Sequence, residues 1–77
     1  MKHFKPEPPA KQKFGRWLID QKKRDDAVGE LAKAACHDPK FPFDGDVREV
    51  SARLNKLEAD PDMHVALEDA ELEWLAF

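Results

Sequence analysis

The chain contains no threonine and no tyrosine, and its only serine is Ser51. It has one cysteine, Cys36, so no disulfide can close within it. Only five residues are β-branched: Ile19, Val28, Val47, Val50 and Val65. That is too few to furnish a sheet with strand-forming side chains. No apolar run reaches the roughly 18 residues a membrane span needs. Nor do the first residues carry the apolar stretch of a secretory signal. These absences lead to the expectation of a cytosolic, all-α protein outside the membrane. What is abundant agrees: ten alanines and seven leucines among 77 residues, both strong helix formers. A chain of this length buries roughly 60–65% of its unfolded surface, enough for one small core and not for a deep enclosed active site.

The net charge of −3 conceals two unlike halves. Residues 1–24 hold eight basic and two acidic side chains, a net +6, while residues 25–77 hold five basic and fourteen acidic ones, a net −9. Such asymmetry marks an electrostatic footprint at the basic end, unless the halves neutralise one another in the fold.

Local signals divide the chain into a flexible basic arm, residues 1–11, and a helical domain, residues 12–77. The arm holds three prolines, with Pro8-Pro9 favouring extended geometry. A first helix is expected from about Gln12 to Gln21, where Phe14, Trp17 and Leu18 form an apolar stripe. Gly15 lies within it, at a cost of about 1 kcal/mol against alanine or as a mark of close packing. Asp25-Asp26 caps a second helix reaching about Cys36, with Val28, Leu31, Ala32 and Ala35 on one face and Asp38-Pro39 ending it. Phe41 and Phe43 occupy the following loop and are expected to plug the core. Asp46 and Glu49 have capping-box spacing before a third helix to about Leu57. Its apolar residues are Val47, Val50, Leu54 and Leu57, and Glu49 and Arg53 have the spacing of an i, i+4 ion pair. Asp60-Pro61 opens a fourth helix whose stripe is Met63, Leu67, Ala70, Trp74 and Phe77. Val65, Leu72 and Leu75 fall off that stripe. The expected core is Phe14, Trp17, Leu18, Leu31, Phe41, Val50, Leu54, Leu67 and Trp74.

The elements Phe14-x-x-Trp17-Leu18, Leu31-Ala32, Asp38-x-x-Phe41-Pro42, Leu54 and Trp74 resemble the YozE SAM-like family of short bacterial proteins over about residues 13–77. The resemblance implies a compact four-helix bundle similar to sterile alpha motif domains. It implies no active site, since the family has no established biochemical function. SAM-like bundles elsewhere serve protein–protein and nucleic-acid contacts.

Residues with chemistry are few. Ser51 falls inside the third helix with no activating base in its pattern. Cys36 and His37, adjacent on a helix, point about 100° apart, and Cys36 reads as a small apolar residue at a helix end. His3, His37, His64 and Cys36 lack paired metal-ligand spacing. Asp44-Gly45-Asp46 has the opening of a calcium loop without its further oxygen ligands or closing glutamate. No catalytic residue, cofactor or metal is therefore expected. Glu71 and Glu73 oppose the macrodipole at the end of the fourth helix and call for a compensating cation from the first helix or the arm. The candidate polyanion-binding set is Lys11, Lys13, Arg16, Lys22, Lys23 and Arg24. The sequence thus suggests a non-catalytic interaction module for a protein partner. The alternative is a DNA- or RNA-binding accessory that uses the basic N-terminal segment.

Overall fold

The computed structural model describes residues 12–76. The arm, with Lys11, and Phe77 lie outside the described residues. The rest forms four helices and no strands: α1 (Phe14–Asp20), α2 (Ala27–Cys36), α3 (Val47–Lys56) and α4 (Pro61–Ala76), with a 3-10 turn at Gln21–Lys23 after α1. The first helix is shorter than its apolar stripe suggests, because the chain tightens into that turn before Arg24 resumes extended backbone.

The caps explain the sharp starts. Asp26 accepts a hydrogen bond from the Gly29 backbone N–H at 2.9 Å at the head of α2. At α3 the Asp46 carboxylate accepts from the Glu49 N–H at 2.9 Å and Glu49 accepts in return from the Asp46 N–H at 3.3 Å. This reciprocal box satisfies two otherwise orphaned donors.

α4 packs against each of the other three helices. The core joins Phe14, Trp17 and Leu18 of α1, Val28, Leu31, Ala32 and Ala35 of α2, Phe41 of the loop, Val50 and Leu54 of α3, and Ala66, Leu67 and Ala70 of α4. Two expectations are corrected here. Trp74 is half-buried, because its indole lies edge-on to the Phe14 ring, centroids 5.6 Å apart, and donates its N–H to the surface carbonyl of Gln12 at 2.9 Å. A polar indole N–H needs an acceptor, and this one sits at the rim. Phe43 is exposed and meets Phe41 edge-on at 5.4 Å, so one loop aromatic enters the core and the other covers it.

Gly15 shows why a helix this short tolerates a glycine. A Cβ there would stand 2.7 Å from the Phe43 carbonyl oxygen and closer still to that of Pro42. The loop backbone lies directly on α1, and the Gly15 N–H donates to the Gly45 carbonyl at 3.1 Å. α3 ends on a different backbone device. The Ala59 N–H donates to the Leu54 carbonyl at 3.0 Å and the Glu58 N–H to that of Asn55 at 3.1 Å. This is a Schellman closure, which puts its pivot residue in the left-handed region. That residue is Glu58, with φ of 55°, where a side chain costs about 1–2 kcal/mol.

Two substitutions test these backbone assignments with opposite signs. Glu58→Gly should raise unfolding free energy by about 0.5–1 kcal/mol, the relief at φ > 0 exceeding the entropy glycine adds to the unfolded chain. Gly15→Ala should lower it by about 1–3 kcal/mol through overpacking, although alanine is the better helix former. Thermal and urea unfolding of both variants measures each effect.

Candidate functional site

The described members of the basic set are Lys13, Arg16, Lys22, Lys23 and Arg24. Lys13 precedes α1 and is exposed, as are Lys22 and Lys23 of the 3-10 turn. The two described arginines of the set are held by carboxylates. Arg16 Nε donates to Asp44 Oδ1 at 2.7 Å, with both side chains largely in solvent. Arg24 is more thoroughly engaged. Its Nη1 and Nη2 donate to the two carboxylate oxygens of Glu73 at 2.6 and 2.9 Å. Its Nε and Nη2 donate to Asp26 Oδ2 at 3.1 and 2.7 Å. The guanidinium fork therefore ties the N-terminus of α2 to the last turns of α4.

The chain's charge asymmetry is thus partly spent inside the fold. The cation required by Glu73 is Arg24, which comes from the segment after α1 rather than from α1 or the arm. Hydrogen bonds from Arg24 hold the Glu73 carboxyl below its ordinary range. They act first on Asp26 as well, with the Gly29 N–H adding to the effect, and Arg16 does the same for Asp44. Gly29 shares in the arrangement, since a Cβ there would run into the Arg24 carbonyl.

A third arginine makes the most buried ion pair. Arg53 Nε and Nη2 donate to Asp38 Oδ2 and Oδ1, both at 2.7 Å, and the side chains are only 18% and 9% exposed. This replaces the expected Glu49–Arg53 pair. Glu49 is turned to the Asp46 N–H in the capping box, and the planar fork of arginine suits a bidentate carboxylate. Asp38 also accepts from the Lys40 N–H at 3.0 Å, so one carboxylate anchors α3 and shapes the turn toward Phe41. Its carboxyl is lowered first by the Arg53 hydrogen bonds and then, against the opposing effect of burial, by the Lys40 N–H. Sequence spacing could not reveal this pair, because its partners stand 15 residues apart on different elements.

The remaining sequence candidates stay apart. Ser51 is half-buried within α3. Cys36 is the last residue of α2 and is exposed. No group of three or more His, Cys, Asp or Glu among the described residues is placed to hold a metal ion. None of the described helices is long and apolar enough to cross a membrane.

Among the described residues, three of the five exposed large apolar side chains lie on the outer face of α4, the others being Phe43 and Leu57. Val65, Leu72 and Leu75 are 55%, 66% and 58% exposed. At about 100° per residue they point opposite to Ala66, Leu67 and Ala70, which face the core. Glu68 and Asp69 lie among and beside them and are exposed. Next to Leu72, an open groove of about 360 Å³ runs between α4 and the head of α2, lined by Ala27, Val28, Asp69 and the Arg24–Asp26–Glu73 ion-pair cluster. Scans against family models, curated proteins and solved structures find no match to this chain.

The carboxylates held below their ordinary range bind fewer protons when folded than when unfolded, so their stabilisation is full above the unfolded pKa, about 4. It is lost as pH falls through the lower folded value. Stability should therefore drop on acidification below about pH 4. Asp38→Asn should lower the melting temperature at neutral pH more than Asp44→Asn does, and should flatten part of the acid limb. Thermal melts across an acid pH series measure both effects.

Proposed function

We propose that this chain is a non-catalytic helical interaction module of the YozE SAM-like type, and that it binds a protein partner through the outer face of α4 in the cytoplasm. The observation that carries this reading is the exposed strip of Val65, Leu72 and Leu75, set opposite the buried face of the same helix. Isolated exposed leucines are ordinary on protein surfaces. Three large apolar side chains aligned on one helix are a contact surface that water solvates poorly. The exposed thiol of Cys36 suits a reducing compartment.

The nucleic-acid alternative rests on Lys13, Lys22 and Lys23. It is weakened by the carboxylates that neutralise Arg16 and Arg24, since arginine is the residue best shaped for phosphate. The acidic surface of α4 would further repel a polyanion.

Two measurements separate the readings. Titration of short duplex DNA at near-physiological salt should give no affinity beyond the non-specific range, a Kd of roughly 10⁻⁴–10⁻⁶ M. In parallel, the wild-type chain and Leu72→Glu serve as baits in a lysate of the source organism, and direct binding is measured for any purified protein retained by the wild type alone. A partner lost on Leu72→Glu is the expected result. Tight DNA binding that falls steeply with salt and depends on Lys22 and Lys23 would replace this reading with the alternative.

A further inference from the structure

We infer that the outer face of α4 takes a cationic amphipathic helix, with apolar residues on one side and lysine or arginine along its flanks. This rests on the protein-binding reading and specifies its partner's chemistry. α4 carries Asp62, Glu68, Asp69, Glu71 and Glu73 and no lysine or arginine. Only Glu73 is in an ion pair among the described residues. Glu68 and Asp69 stand within the apolar strip itself, so a segment seated on Leu72 must either meet these carboxylates with cations or bury them unpaired. The second course costs far more than it returns.

The geometry also selects the form of the occupant. From Val65 to Leu75 the helix rises by ten steps, about 15 Å at 1.5 Å per residue. Standing at i, i+7 and i+10 along one side of α4, these anchors can be followed by the apolar side of a helix laid alongside. The groove beside Leu72 is lined by Val28 and Asp69, with Arg24 already paired to Asp26 and Glu73, and leaves room for the apolar side of such a helix to lean toward α2.

A second copy docking α4 on α4 is disfavoured by the same charges. In a two-fold interface each patch meets itself, so Glu68 and Asp69 would face the carboxylates of a helix that carries no lysine or arginine, and the nearby Arg24 is already taken by Asp26 and Glu73. An anionic lipid surface is repelled for the same reason.

The test uses the full chain and three synthetic helical peptides of equal length. One alternates faces of leucine and lysine, one replaces lysine by glutamate, and one replaces leucine by serine while keeping the lysines. The protein variants are Leu72→Glu, Leu75→Glu and Asp69→Lys. All three substitutions fall on exposed positions, and circular dichroism verifies their folding. The Leu/Lys peptide should bind the wild type at least about tenfold more tightly than either control peptide. Each variant should weaken that binding about tenfold, with amide shift changes centred on residues 65–76. Affinity should fall with salt, as screened ion pairs do.

Binding that ignores both Leu72→Glu and Asp69→Lys overturns the inference. So does equal binding of the Leu/Glu peptide, or no binding at all. Self-association abolished by Leu72→Glu would instead assign the face to a second copy. The parent reading fails separately. A purified partner that needs Leu72 but presents a neutral or acidic surface removes the cationic helix and leaves protein binding intact.

Discussion

The contact on which this small fold depends is between two stretches of backbone: α1 at Gly15 and the loop at Pro42-Phe43. α1 has seven residues, too few for a helix to persist in water by itself. It persists because Phe14, Trp17 and Leu18 are buried and because the loop carbonyls lie flat against the one position without a side chain. From that contact the rest follows. The loop must be held in place, and the Asp38–Arg53 pair holds it from one side while the Asp46 cap holds it from the other. Phe41 is thereby delivered to the core, over which α4 packs against α1, α2 and α3 together.

Charge has two distinct uses in the molecule. At Asp38 and Arg53 it is sheltered and shapes a turn. At Arg24 it is half in solvent and joins elements whose hydrogen-bonding ends face one another, the capped start of α2 and the acidic end of α4. A lone solvent-exposed ion pair contributes little. Arg24 differs by meeting two carboxylates at once, so its side chain is ordered a single time for two contacts. The consequence for function is subtractive. Both described arginines of the basic segment are committed within the fold, whereas most of the carboxylates of α4 are not.

The helices were legible because their signals are local: Asp26 and Asp46 as caps, the i, i+3, i+4 spacing of Phe14, Trp17 and Leu18, and Pro61 at the first turn of α4. Gly15 could be read two ways, and only the position of the loop decides between them. The Glu58 conformation had no signal at all, since glutamate is not the residue a left-handed pivot favours. Arg53 was assigned to the wrong carboxylate because spacing along a helix sees Glu49 and is blind to Asp38. The strip on α4 was visible as residues outside the main stripe, yet whether another helix covers them is a matter of tertiary packing. Trp74 was placed in the core by its periodicity, and the N–H on its ring explains why it stops at the rim.

The hydrogen bond from the Trp74 indole to the Gln12 carbonyl joins the first described residue to the last turn of the last helix. The polypeptide therefore comes into the bundle and leaves it at the same corner. A domain arranged in this way can be spliced into a surface loop of a host protein while hardly parting the two cut ends of that loop.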